Sequence, residues 1–209
     1  MARPRSFDET ALLDAARERF WSHGYASTSI EDVSRDCGVG NGSIYAAYGS
    51  KKSLYLAVLT RYCRDLQSSV GQAMDGRTGD PRTSLRAYLE MIICDCVDQP
   101  GRRGCLMLNS IGLIDQMPEV AGPIASTTRQ LETHVDRRLH RDLVGDTTTH
   151  IPWIADLAAE FVTLSQGLIQ RSRLGENAAT LRRIADTAVS RLDVATHESA
   201  HLPEPDRPA

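Results

Sequence analysis

Lysine is nearly absent: the 209-residue chain has only Lys51 and Lys52, side by side, and its other basic residues are arginines. Positive charge is not in excess either. Lys and Arg total 24 against 27 Asp and Glu, for a net charge of −3. Bulk nucleic-acid binders usually have a domain pI above about 9. No apolar run approaches the ~20 residues needed to span a bilayer. The opening Met-Ala-Arg-Pro-Arg-Ser carries no apolar stretch of a signal peptide, so a cytoplasmic protein is expected. Five cysteines (Cys37, Cys63, Cys94, Cys96 and Cys105) are an odd number with no Cys-x-x-Cys pair. Free thiols are expected rather than a disulfide framework. The chain also lacks a serine-nucleophile motif, a Gly-rich phosphate loop and an internal repeat.

Sustained period-2 alternation is missing as well, which argues against strands. What the chain does have is period 3.6 almost throughout, so an all-α fold is expected. Ser6 and Glu9 are spaced as a capping box. The helix they open carries Leu12, Ala16 and Phe20 on one stripe, with Leu13 beside it, and stops at His23-Gly24. Thr28 and Glu31 form a second such pair and start a short helix to about Asp36. Asp80-Pro81 predicts a third start, with Pro at the first helical position, and a helix to about Gln99. An apolar segment follows over 105–117, then a polar helix from Pro118 to about Val144. Beyond a Thr-rich loop, two last helices are expected over 153–174 and 177–196. The Pro-rich tail is expected to be disordered.

Between Ile30 and Tyr48 two short helices flank Cys37-Gly38-Val39-Gly40. Ile30, Val33 and Ile44 sit at buried-type spacing, Ser34 is small where the helices cross, and Gly38 suits a positive φ. This is helix-turn-helix grammar, although many helical hairpins share it.

The surrounding residues narrow it. The stretch from Phe20 to Leu56 contains Phe20, Gly24-Tyr25, Thr28-Ser29, Gly38-Val39, Gly42-Ser43-Ile44-Tyr45, Tyr48 and Gly49-Ser50-Lys51. It closely resembles the DNA-binding module of the TetR-like (tetracycline-repressor-like) transcriptional regulators. The resemblance implies an N-terminal three-helix helix-turn-helix domain over 1–50. A larger helical ligand-binding and dimerisation domain follows over 51–200, then the tail, 201–209. Asn41 to Tyr48 would be the recognition helix, entering the major groove of double-stranded DNA. Asn41 would read a base, its amide matching adenine. Gly42, Ser43, Tyr45 and Tyr48 would lie at that surface, with packing the alternative role for both tyrosines. Thr28 and Ser29 would hold a phosphate at a helix N-terminus, and Lys51 another. Arg3 and Arg5 would form an arm. Ala46, Ala47, Gly40 and Glu31 depart from common family residues, so the operator sequence is not legible.

The same resemblance implies a homodimer built on the last two helices, which presents two recognition helices to a pseudo-palindromic operator. Its candidate interface residues are Phe161, Leu168, Leu181, Ile184, Ala188 and Leu192. A cavity for a small apolar effector would be lined by Tyr88, Met91, Cys94, Leu108, Met117, Phe161 and Gln166. A ligand-responsive repressor is the reading these features favour. One alternative is an oxidant- or electrophile-sensing repressor acting through Cys105, which follows Arg102-Arg103 near a helix start; against it stands a buried, inert thiol. The other is a helical-bundle enzyme. His197-Glu198-Ser199-Ala200-His201 matches H-E-x-x-H, but only eight residues follow, too few for a third zinc ligand. No catalytic residue, metal or cofactor is expected.

Charge placement reconciles DNA binding with the −3. Up to Lys52 the basic residues (Arg3, Arg5, Arg17, Arg19, Arg35, Lys51, Lys52) balance the acidic ones (Asp8, Glu9, Asp14, Glu18, Glu31, Asp32, Asp36). The two arginines stand at one edge of the module and the two lysines at the other.

Overall fold

The computed structural model describes residues 7–75, 79–145 and 151–192. Every regular element among them is helical, so the fold is all-α. In chain order these are α1 (Glu9–His23), α2 (Ile30–Cys37), α3 (Asn41–Tyr48), α4 (Lys51–Met74), α5 (Pro81–Asp98), α6 (Leu106–Asn109), α7 (Ala121–Val144), α8 (Pro152–Arg173) and α9 (Ala178–Ser190). Single 3₁₀ turns occur at Pro100–Arg102, Ser110–Leu113 and Pro118–Val120. The residues expected as an arm (Arg3, Arg5), as a zinc motif (His197 to His201) and as a tail lie outside the described residues.

Two compact units make up the chain. Unit 1 comprises Met1–Gly71 and Gln99–Leu131, and unit 2 comprises Gln72–Asp98 and Glu132–Ala209. In unit 1, α1 buries Leu12, Ala16 and Phe20, the stripe its spacing predicts. Phe20 meets Tyr55 of α4 edge-on, ring centroids 5.0 Å apart, and Tyr55 meets Tyr25 at the same distance. Burying side chains of this size stabilises by about 1.5–3 kcal/mol each. The Tyr55 hydroxyl shares a 2.7 Å hydrogen bond with Ser110 Oγ, so its polar end is not left bare. Burial pushes the Tyr55 phenol above its usual pKa.

The start of α1 differs from the sequence expectation. Asp8 caps it, with Oδ1 accepting from Thr10 N at 2.9 Å and Ala11 N at 3.2 Å. An aspartate here brings a full negative charge to the positive end of the helix. Glu9, expected to complete a box with Ser6, instead accepts a hydrogen bond from a tyrosine of α3. The segment 105–117 also differs: only four residues are α-helical, and a 3₁₀ turn follows.

In unit 2, α5 packs against α8 and α9. Asp80 caps α5 by accepting from Arg82 N at 3.2 Å and Thr83 Oγ1 at 3.1 Å, with Pro81 at the first position as expected. Asn177 caps α9, its Oδ1 accepting from Thr180 N at 2.9 Å. Asp142 is the polar knot of the unit. Its carboxylate accepts from Ser84 Oγ (2.7 Å), Arg138 Nε (2.7 Å) and Gly79 N (3.2 Å), and its side chain is 0% exposed. Burial pushes the Asp142 carboxyl up, but the hydrogen bonds from Ser84, Arg138 and Gly79 outweigh it and hold it below the usual value. Arg138 also donates to Met74 O at 2.8 Å.

Candidate nucleic-acid interface

The turn between α2 and α3 is set by Gly38, whose φ of 70° and ψ of 9° are left-handed. A side chain there would be strained. Ser34 Oγ reaches across this turn and donates to Val39 O at 2.7 Å. Ser34 is therefore a tie as well as a small residue at a crossing.

The N-terminus of α2 is capped one residue later than Thr28 and Glu31 suggest. Ser29 is the cap, and Asp32 closes the box. Asp32 N donates to Ser29 Oγ at 3.1 Å, and Ser29 N donates back to Asp32 Oδ2 at 3.0 Å. The Ser29 hydroxyl also donates to Asp32 Oδ2 at 2.7 Å. These bonds from Ser29, helped by Arg19, lower the Asp32 carboxyl from 3.8 to about 2. Thr28 is 1% exposed and donates its hydroxyl to Gly24 O at 2.8 Å. Its hydroxyl holds the α1–α2 turn, which corrects its expected role as a phosphate donor. Glu31 is exposed and takes no part in the cap.

α3 runs from Asn41 to Tyr48, the bounds the resemblance implies. Only Ile44 is buried on it. Gly42, Tyr45 and Ala46 share the exposed face at i, i+3 and i+4, and Tyr45 is 47% exposed. Ser43 is half-buried. Asn41 opens the helix half-buried, and its side-chain oxygen is shielded from solvent without a hydrogen-bond partner. Tyr48 belongs to the packing alternative: its hydroxyl donates to Glu9 Oε1 at 2.9 Å and ties α3 to α1.

Lys51 donates to Tyr25 O at 3.0 Å, with Nζ 4.3 Å from the centre of the Tyr25 ring. Lys51, Tyr45 and the first residues of α2 together line an open depression of about 350 Å³. Thus Ser29, Tyr45 and Lys51 of the expected site come together, with Thr28 as its buried floor. Three further cations among the described residues of this region carry acidic partners. Arg19 pairs with Asp36 at 2.9 Å, Arg35 with Asp32 at 3.1 Å and Arg61 with Asp14 at 3.2 Å. Lys52 pairs with Glu119 at 2.5 Å, a partner 67 positions away that helix spacing alone does not suggest.

Residues 12–58 match the sequence profile described as "Bacterial regulatory proteins, tetR family". Over 191 residues the chain is 29% identical to the HTH-type transcriptional repressor ComR of Escherichia coli (strain K12), covering 90% of each protein. Residues 12–58 carry the DNA-binding domain of the TetR family, and the chain resembles TetR-like regulators over most of its length. It is a DNA-binding transcriptional regulator of the helix-turn-helix kind. Among solved structures, its fold is similar to the TetR family regulator CifR, a cysteine mutant complexed with 26-bp double-strand operator DNA. The TM-score is 0.70 at 22% identity, over 91% of this chain and 100% of that one. The reduced form of Escherichia coli NemR is similar at a TM-score of 0.74 and 15% identity, over 86% and 93%.

In this TetR-like chain the expected effector residues fall in both units. Leu108 and Met117 are buried in unit 1. Tyr88, Met91, Cys94, Phe161 and Gln166 lie in unit 2. Tyr88 is fully buried and donates to Ser165 Oγ at 2.9 Å. Cys94 is at the α5–α9 seam: it donates to Glu90 Oε1 at 3.2 Å, and Glu90 is paired with Arg182 at 2.6 Å. The bond to Glu90 raises the Cys94 thiol pKa, while Arg182 lowers that of Glu90. Cys94 is thus a surface seam residue rather than a cavity wall.

Cys105 is 5% exposed and accepts a 3.4 Å hydrogen bond from Tyr62 Oη. Of the two arginines expected to activate it, Arg103 turns elsewhere. Arg103 stacks on the Trp21 ring at 4.5 Å, pairs with Glu18 and donates to Ser22 at 2.9 Å. The geometry matches the buried-thiol alternative. Of the expected dimer residues, Phe161, Leu168, Leu181 and Leu192 are buried within unit 2 itself, so they are core and not outward face. Ile184 and Ala188 are half-buried and line an open groove between α8 and α9.

Proposed function

We propose that this TetR-like regulator acts in the cytoplasm as a homodimeric repressor of a pseudo-palindromic operator, released by a small apolar effector. Its N-terminal module, 1–50, reads DNA, and 51–200 carries dimerisation and effector binding. The observation that carries the reading is the exposed face of α3. Gly42, Tyr45 and Ala46 project from it beside the depression at the N-terminus of α2, where Ser29 and Lys51 sit. Gly42 and Ala46 are small, so the backbone of α3 can approach base edges closely, and Tyr45 is the one large side chain on that face. Asn41, at the end of the helix that enters the groove, supplies base readout in this reading. Tyr88, Phe161 and Gln166 on α5 and α8, with Met91, are the effector-binding residues of this reading.

The test has two arms. Binding of the purified protein to DNA upstream of its own gene is measured with rising salt. Sequence-specific binding that titrates as two chains per site supports the reading, and equal binding to unrelated DNA overturns it. Deleting the gene is expected to raise transcription from that site, whereas a fall makes the chain an activator. Native mass spectrometry of the protein as purified identifies a retained effector by its mass.

A further inference from the structure

We infer that α3 selects thymine in the operator by its C5-methyl group, through the side-chain methyl of Ala46. This rests on the DNA-binding reading above and names the chemistry of the recognition. Three observations carry it.

The first is the make-up of the exposed face. Gly42, Tyr45 and Ala46 are the exposed residues of α3, at i, i+3 and i+4. One has no side chain and another ends at Cβ, so beside Tyr45 the helix offers little but carbon. The second is what α3 lacks. Its eight residues, Asn41 to Tyr48, include no Arg, Lys, Glu, Asp, Gln or His. Guanine is read at O6 and N7 by Arg or Lys, and cytosine at its amino group by Glu or Asp. Neither kind of reader stands on α3, and the chain's two lysines open α4.

The third is where the polar groups of α3 are placed. The Tyr48 hydroxyl donates to Glu9 of α1 at 2.9 Å. Asn41 and Ser43 are half-buried. Tyr45, 47% exposed, is the one polar side chain on the exposed face, and the Ala46 methyl lies next to it. In the major groove thymine is the base that carries an apolar group, and contact with its methyl is the readout open to an alanine. Gly42, one turn before Ala46, lets the backbone come near enough for so short a side chain to reach. The adenine match of the Asn41 amide points the same way, to A·T pairs under α3.

Fluorescence anisotropy on the full chain tests this, with a labelled duplex of the DNA upstream of its own gene in which each thymine is replaced in turn by deoxyuridine. The replacement removes the methyl and leaves base pairing unchanged. Wild type is expected to lose about fourfold in affinity at a thymine of each half-site, the worth of one buried methyl. Ala46→Gly removes the methyl on the protein side, and is expected to bind the thymine and uracil forms of that position equally. The ratio is taken within each variant, so the weaker helix propensity of glycine cancels from it. A wild type indifferent to every thymine methyl, or an Ala46→Gly variant that discriminates as wild type does, overturns the inference and leaves DNA reading by α3 standing. A wild type that binds this duplex no better than an unrelated one overturns both.

Discussion

Lys52 and Glu119 form an ion pair at 2.5 Å within unit 1, on the edge that also carries Lys51. Its neighbour is tied to the Tyr25 carbonyl. Both of the chain's lysines are therefore spoken for before any DNA arrives. Among the described residues of the module, Arg19 and Arg35 are paired as well.

Freeing Lys52 should be visible in salt dependence. Glu119→Gln removes the acid and keeps the shape. The expected outcome is tighter binding to random-sequence DNA, with the plot of log K against log salt steeper by about one per module. An unchanged slope would mean that Lys52 does not face phosphate. Glu119 is held below the usual carboxylate range by the Lys52 hydrogen bond, so it stays ionised through that range and acidification there should not mimic the variant.

The Ser29–Asp32 box fixes the start of α2. Ser29→Ala is expected to cost about 1 kcal/mol in chemical denaturation, as loss of an N-cap does. The acid behaviour follows from the Asp32 carboxyl at about 2 in the folded chain against an ordinary 3.8. A lowered folded value means the contribution is complete above the ordinary value and is lost as pH falls from about 4 toward 2. Asp32→Asn should flatten the stability profile in that window. A profile parallel to wild type contradicts the box.

Asp142 should be the costliest single polar loss in unit 2. Asp142→Ala leaves the Arg138 guanidinium, 6% exposed, without its carboxylate. Breaking a buried pair from one side costs roughly 3–5 kcal/mol. Urea unfolding checks this, and a loss below about 1 kcal/mol would mean that water reaches Arg138 easily.

Cys105 separates the effector reading from the redox one. Its thiol is buried against Tyr62, and Arg103 is engaged on α1. Wild type and Cys105→Ser are expected to release DNA alike when titrated with peroxide. A response present only in wild type would restore the oxidant-sensing alternative.

Much of this was legible in sequence for a physical reason. Apolar stripes such as Leu12, Ala16 and Phe20 record burial directly, and α3 kept the bounds its motif implied. Cap positions were less legible. Ser6/Glu9 and Thr28/Glu31 have the right spacing, but Asp8 and the Ser29–Asp32 pair offer the amides a better-placed acceptor. α4 gave no sharp start signal: Ser50 accepts from Ser53 N, a cap without an acidic partner. Long-range pairings stayed hidden, since nothing in local spacing links Lys52 to Glu119 or Arg103 to Glu18. A helix stripe also cannot say whether its apolar face meets its own chain or another. Leu181 and Ile184 read alike in sequence, yet Leu181 is core and Ile184 faces the groove.

The most direct test of DNA reading by α3 is fluorescence anisotropy with DNA from upstream of the chain's own gene. Wild type is compared with Asn41→Ala/Tyr45→Ala, two changes that remove no side chain from the core. The expected result is unchanged helicity and dimerisation, with operator affinity reduced about tenfold or more toward the non-specific level. Wild-type affinity in the double variant would contradict the assignment of α3 as the reading helix.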